Sequence, residues 1–298
     1  MFEVPTRDSL PDDLRARIRG ALLADRLSLP RQAPMTATEV LERSAESARM
    51  LGATYGRLQA ERRAAPAAAP LATAVAALPV QAPGTLPEWQ GKAWLRAAGL
   101  ATPQGDLATS VEEAVAVAQR IGYPVVLKAQ AARLAHKTEA GGVLLGIQDE
   151  AQLRDGWQRL HDNIRQHDAS LVLDGVLVEA MGARGLELVI GAVRDPQWGP
   201  VLMVGLGGIW VEALGDVQLL SADLPLAGIE ARLRSLKGAK LLDGFRGAPP
   251  VDLPAVAQAV ATVGALMLAR PDIEEIDINP LVAYGTGGGV LALDALVV

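Results

Sequence analysis

The sequence predicts a mixed α+β fold over its last two thirds. Three observations lead there. Capped helices are interleaved with short aliphatic strands from Leu86 onward. Three strands, "GVLVEAM", "LELVIGAVRD" and "GPVLMVGL", follow one another with no helix between them. The last 25 residues, "EEIDINPLVAYGTGGGVLALDALVV", read as two strands joined by a Gly-rich hairpin. Strands in runs, mixed with helices, argue against a doubly wound parallel sheet. The length of 298 residues suits two domains or one large one. Half the residues are apolar but only 3% are aromatic, so the core must be built from Ala, Val, Leu and Ile.

The elements follow in order. Residues 1–60 are charged and read as two helices. The first runs from about Asp12 to Leu27, with Pro11 near its start. The second begins at "TATE", where Thr36 and Glu39 fit a capping box, and Leu41, Ala45, Ala48, Leu51, Tyr55 and Leu58 form an amphipathic stripe. Residues 61–85 are rich in Ala and Pro and read as a linker. Residues 86–298 form the third region. "TLPEWQGKAWLRAAGL" is a helix closed by Gly99. "SVEEAVAVAQRIGYP" is another, with a Ser110/Glu113 box, Gly122 as C-cap and Pro124 beyond. "PVVLKAQ" is a buried strand and "GGVLLGI" a second, followed by a helix from Asp149 to about Gln166. After the three successive strands, "IWVEAL" reads as a fourth. "DLPAVAQAVATVGALMLA" is a helix capped by Asp252, with Pro254 in its first turn.

Composition removes several function classes. The net charge of −6 offers no basic excess for nucleic acid. No cysteine means no disulfide framework and no thiolate metal site. No apolar run approaches the ~18 residues that would span a bilayer. The charged "MFEVPTRDSLPDDLRARIRG" has no signal-peptide stretch, so a cytoplasmic protein is expected.

The chemistry-bearing residues gather in a few places. Lys128 leaves an apolar strand, where it either meets phosphate or snorkels to solvent. His136 stands in a loop with Arg133, Lys137 and the pair Gly141–Gly142. A neutral imidazole is a nucleophile near pH 7, and glycines let backbone approach phosphate oxygens. His161 and His167 fall on or after a polar helix face and are expected to be exposed. Glu179 ends one strand and Glu187 starts the next, a crossover that could form a slot for a flat base. Glu212 lies in "IWVEAL". Asn279 and Asp294 lie on opposite strands of the terminal hairpin. Such an oxygen pair either suits Mg²⁺ or satisfies backbone groups at strand ends. Arg246, in "GFRGAP", is a phosphate contact or a surface turn. Neither "GLGGIWVE" nor any other stretch matches the dinucleotide or Walker fingerprints.

From about Leu86 onward these segments resemble the ATP-grasp domain of ADP-forming acyl-CoA synthetases of the acetate–CoA ligase type, and more distantly the β subunit of succinyl-CoA synthetase. The resemblance rests on "GYPVVLKAQ", "HKTEAGGVLLG", "VLVEAM", "ELVIGAVRDPQWGPVLMVGLGGIWVE", "FRGAPPVD" and "DINPLV…ALDA" in that order. It implies an ATP-grasp fold of two α+β subdomains clasping a nucleotide. It implies that Lys128 contacts ATP or ADP phosphates, where the backbone of Gly141 and Gly142 is also expected on the residue reading above, that Glu179 and Glu187 hold the adenosine with Gly182 near it, and that Asn279 and Asp294 bind Mg²⁺. It also implies that His136 carries a phosphoryl group, with Asp277 at an acidic position near the phosphohistidine. The family's CoA-binding and CoA-ligase domains have no counterpart in these segments, so a CoA-ligase subunit or domain is the expected partner, and neither nucleic acid nor membrane is. Residues 1–60, above all "MTATEV", resemble instead a segment of bacteriophage head-to-tail connector proteins. Two other readings follow from this departure: a phage-type structural protein, or a regulatory nucleotide-binding domain without turnover.

Overall fold

The computed structural model describes residues 84–298 apart from 132–133, 135–136, 196–198, 208–215 and 246. The helices expected in residues 1–60, the linker and the "IWVEAL" strand therefore lie outside the described residues. The elements run α1 (Glu88–Ala97), β1 (Gly105–Ala108), α2 (Val111–Ile121), β2 (Val125–Gln130), β3 (Val143–Ile147), α3 (Glu150–His167), β4 (Gly175–Ala180), β5 (Leu186–Asp195), β6 (Gly199–Leu206), β7 (Val217–Ser221), α4 (Leu226–Arg234), a 3₁₀ turn (Ala239–Leu241), α5 (Leu253–Ala269), β8 (Glu275–Ala283), β9 (Val290–Ala292) and β10 (Leu296–Val297).

Two antiparallel sheets result. The smaller has the order β1-β4-β2-β3, and the larger the order β10-β8-β5-β6-β7 with β9 also paired to β8. Each sheet has its own core. In the smaller body Val125, Leu127 and Ala129 of β2 and Val176 and Val178 of β4 meet Ala114 and Ala118 of α2 and Leu153, Leu160 and Ile164 of α3. In the larger body Leu188, Ile190, Leu202 and Val204 meet Val256, Val260, Val263 and Met267 of α5. Period-two alternation then sends the intervening residues of β2 and β4, namely Val126, Lys128, Gln130, Leu177 and Glu179, to the other face of the small sheet.

Helix α1 precedes the small sheet in sequence but belongs to the large core. Leu86, Trp94 and Leu95 pack there, the Leu86 amide donates to the Val297 carbonyl at 2.8 Å, and the Arg270 guanidinium lies 4.5 Å from the Trp94 ring centre. The chain therefore crosses from one body to the other immediately after α1.

Caps set the helix ends. Ser110 accepts from the Glu113 amide, Asp149 from Gln152 and Asp252 from Ala255. Glu113 returns to the amide and hydroxyl of Thr109, one residue earlier than a simple box predicts. Asp252 also accepts from the amides of Gly287 and Gly289, so one carboxylate fastens both α5 and the Gly-rich hairpin. β1, β7 and α4 are absent from the sequence-based expectation. "GDLA" is short and has no β-branched residue, and "LAGIEARLR" has a weak apolar stripe.

Gly264 shows how closely α5 lies on the large sheet. A Cβ there would stand 2.2 Å from the Ala222 carbonyl oxygen and 3.1 Å from a Leu202 methyl. In an exposed helix Gly→Ala stabilises by about 1 kcal/mol. Here Gly264→Ala is expected to destabilise by about 1–3 kcal/mol, because α5 must lift from the sheet. A urea titration checks this; a midpoint above wild type contradicts the packing.

Candidate functional site

The polar face of the small sheet meets α1 and the terminal hairpin, and the charged residues gather there. Lys128 sits opposite Leu177 on β4, with Glu179 two residues along and on the same face. From above, the first turn of α1 lowers Glu88 onto this face and its second turn lowers Lys92, one helical step apart.

The Glu88 carboxylate is the hub. It accepts from Lys92 at 2.6 Å, Lys128 at 2.7 Å, Lys137 at 2.6 Å and the Gln130 amide at 3.2 Å. Its side chain is only 1% exposed. Lys92, equally buried, reaches on to both oxygens of Glu179, at 2.8 and 2.7 Å. Lys128 has three donors. They face Glu88, the Leu293 carbonyl at 2.6 Å and Glu179 at 3.2 Å.

Electrostatics follow from this geometry. Burial alone would raise the Glu88 carboxyl, but Lys128, Lys92 and Lys137 together hold it well below the usual carboxylate range. Burial opposes the charged form of Lys128 too, yet Glu88, Glu179 and Asp294 raise it well above an ordinary lysine. For Lys92 burial wins and its pKa falls, despite Glu88 and Glu179. Asp294 is raised, by burial and then by Glu88, with the three lysines opposing.

The Leu293 contact brings the hairpin to Lys128. Leu281 lies opposite Ala292 and Asp277 opposite Leu296. The same register between them, marked by the Leu293 amide donating to Pro280, sets Asn279 opposite Asp294. A carboxylate and an amide oxygen thus share one face of the hairpin, beside the lysine cluster. Asn279 is exposed and Asp294 half-buried with one oxygen on the Ala295 amide. Two oxygen donors that leave most positions to water and phosphate fit Mg²⁺. Lys128 and the hairpin are therefore in direct contact.

The other expected residues are placed as follows. Glu179 has both oxygens on lysines, so its reach is to Lys128 and Lys92. Glu187 is exposed at the start of β5, opposite Val282. Gly182 lies against Leu291 and Leu293 of the hairpin, where a Cβ would come within 2.8 Å of a Leu293 methyl. The amides of Gly141 and Gly142 donate to the carbonyls of Thr138 and Lys137, at 3.1 and 2.7 Å. The pair is glycine for packing: Gly141 has φ +65° and its Cβ would strike Asn163, while Gly142 has Ile164 and Ala129 against it. His161 is half-buried rather than exposed, with its Nδ1 2.8 Å from the Trp157 carbonyl, whereas His167 is exposed. Asp277 is half-buried on β8. Arg133, His136, Glu212 and Arg246 lie outside the described residues.

Glu88, Lys92 and Gln130 are the members of this cluster that sequence reasoning missed. An i,i+4 Glu–Lys pair is ordinarily a surface pair. The available signal was its setting in "EWQGKAWL", where Gly91 precedes Lys92 and Ala93 and Trp94 follow it. A small cavity of about 160 Å³ beside Lys92, lined by Trp89, Arg96, Asp106 and Glu179, is below the size of a nucleotide site.

Comparison with known proteins identifies the family of this domain. Residues 80–298 match the family model for the ATP-grasp domain. The chain is 38% identical over 210 residues to the β subunit of an ADP-forming acetate–CoA ligase (I) of Pyrococcus furiosus, which covers 70% of this chain and 90% of that subunit. The chain belongs to the ATP-grasp family of ADP-forming acyl-CoA synthetases. It is 46% identical over 213 residues to a trans-feruloyl-CoA synthase from an unidentified prokaryote, covering 72% of this chain but only 30% of that protein. Among solved structures, the dinucleotide-forming acetyl-coenzyme A synthetase 1 of Ca. Korarchaeum cryptofilum, in complex with coenzyme A and Ca-AMPCP, superposes with a TM-score of 0.70 at 36% identity, covering 72% of this chain and 93% of that one. The same synthetase has been solved with Mg-AMPPCP and its phosphohistidine segment pointing towards the nucleotide site (TM-score 0.63, 34% identity, 72% and 92% covered). Residues 7–79 match a different model, that of a bacteriophage head to tail connecting protein, and lie outside the described residues.

The hub gives a stability prediction. Glu179→Ala leaves the buried ammonium of Lys92 with Glu88 as its remaining carboxylate partner and is expected to cost about 3 kcal/mol. Chemical denaturation reads it; a loss below about 1 kcal/mol contradicts the ion pair. Glu88 gives a pH prediction. Its folded pKa is depressed, so its contribution is present above the ordinary carboxylate value of about 4.3 and is lost as pH falls below it. Glu88→Gln is expected to flatten the fall in stability below about pH 4.3. An acid limb as steep as wild type contradicts this.

Proposed function

We propose that this chain is the nucleotide half of an ADP-forming acyl-CoA synthetase, binding Mg·ATP or Mg·ADP in the cleft between its two bodies and exchanging a phosphoryl group between nucleotide and His136. One observation supports this reading: the Lys128 ammonium donates to the Leu293 carbonyl at 2.6 Å, 165 residues along the chain and next to Asp294. A phosphate chain needs both a fixed cation and a site for a hard metal ion.

In this reading Lys128, with Lys137 beside it, contacts phosphate oxygens. Asn279 and Asp294 hold Mg²⁺, which neutralises charge on the transferring group. Glu187 and Gly182, at the β4–β5 crossover, hold the adenosine. Glu179 acts through Lys128. An imidazole nitrogen of His136 attacks the γ-phosphorus, the bond from that phosphorus to the bridging oxygen breaks, and ADP leaves with the electron pair. The reverse step returns the phosphoryl group from phosphohistidine to ADP. Positioning and electrostatics supply most of the rate in such a transfer. Because the chain spans less than a third of the trans-feruloyl-CoA synthase it matches, we assign formation of the acyl phosphate and thioester to a CoA-binding and CoA-ligase partner.

The test is incubation with γ-labelled ATP and Mg²⁺. Label is expected on the protein, acid-labile and base-stable, and absent in His136→Ala. Lys128→Met should slow labelling by on the order of a hundredfold. Equal labelling of wild type and His136→Ala would falsify the assignment.

A further inference from the structure

We propose that Glu88 and Lys92 are positioning residues of this site: Glu88 fixes Lys128 relative to the metal-binding hairpin and competes with phosphate for it, while Lys92 tempers that competition. The inference rests on the nucleotide reading above and deepens it.

The geometry supplies two arguments. First, Glu88 and Lys92 are anchored in the large body through Trp94 and Leu95, whereas Lys128, Gln130 and Glu179 belong to the small sheet. The Glu88–Lys128 bond of 2.7 Å therefore spans the two bodies, and it fixes the cation against the Asn279–Asp294 pair. Second, the donors of Lys128 are already assigned. They face Glu88 at 2.7 Å, Leu293 at 2.6 Å and Glu179 at 3.2 Å. A phosphate oxygen can gain a bond from Lys128 only by displacing one of these acceptors, two of which are carboxylates. Removing the charge of Glu88 should strengthen nucleotide binding while loosening its placement. Removing the charge of Lys92 should do the opposite, since Glu88 and Glu179 would then bear on Lys128 and Lys137 alone. A pair of residues that merely hold α1 in place would weaken binding together.

A second signature is the pH dependence. The groups facing Lys128 are Glu88 and Lys92 from α1, Glu179 from β4, Lys137 from the segment after β2, and Asp294 from the hairpin. With Glu88 present Lys128 stays charged throughout the alkaline range. Without it, burial is opposed only by Glu179 and Asp294, and the pKa of the ammonium falls.

The experiment is calorimetric titration of the full chain with Mg·ADP from pH 7 to 9.5, with γ-labelling of His136 and thermal unfolding in parallel. Glu88→Gln is expected to bind on the order of tenfold tighter near neutrality, to lose part of that gain toward pH 9.5 where wild type stays flat, and to label more slowly. Lys92→Met is expected to bind more weakly, without an alkaline fall. Glu88→Asp keeps the charge and should restore the flat profile. If Glu88→Gln does not fold, the Lys92→Met and Glu88→Asp results decide. Parallel weakening of both charge-removing variants, in step with lost thermal stability, overturns the inference, and so does unchanged binding in both. A wild-type chain that binds no Mg·ADP overturns the nucleotide reading and this inference together. Binding by wild type without the opposed signs overturns this inference alone.

Discussion

A single carboxylate, nearly shut off from water, accepts from three ammonium groups, and the joint between the two bodies is organised around it. An isolated buried charge is expensive, and the lysines around Glu88 would be equally costly without it. Neither sign can be present alone. The six ionisable groups at the joint, Glu88, Glu179 and Asp294 against Lys92, Lys128 and Lys137, have equal and opposite formal charges. That equality ties together parts of the chain more than 200 residues apart. It makes the joint specific: an apolar joint could slide, but these donors and acceptors fit one arrangement.

The two hydrophobic cores explain why the joint can be polar at all. Each sheet buries one face against its own helices, so folding of each body does not depend on apolar contact with the other. The face of the small sheet carrying Lys128 and Glu179 is left for chemistry. α1 is the exception that joins them, with apolar residues in the large core and its Glu88–Lys92 edge on the small sheet. A site formed between separately packed bodies can hold a cation and a metal-ligand pair from distant segments at a fixed separation, as phosphoryl transfer requires.

The sequence made much of this legible, for physical reasons that vary by residue. Helix caps at Ser110, Asp149 and Asp252 were readable because the cap is a local bond to a residue three positions on. β2, β4, β5 and β6 were readable because buried strands need aliphatic runs. Asn279 facing Asp294 was readable because a hairpin fixes its own register. The hub was not. Glu88 and Lys92 look like any i,i+4 pair on a solvated helix, and nothing local says that the face they share is covered by another body. The close approach of Gly141 and Gly142 to Asn163 and Ile164 of α3 was not readable either, because it is a tertiary contact invisible at the level of spacing. The part played by His136 is legible only through family resemblance, since a loop histidine among cations has no spacing of its own.

The most direct measurement is a crystal structure of the full chain with Mg²⁺ and a non-hydrolysable ATP analogue. The account predicts phosphates between the Lys128 ammonium and the Asn279–Asp294 pair. It further predicts that Lys128 bonds a phosphate oxygen in exchange for one of its carboxylate contacts, while α1 stays seated on the large body. A nucleotide bound elsewhere, with the contacts of Lys128 to Glu88 and Glu179 undisturbed, would contradict it.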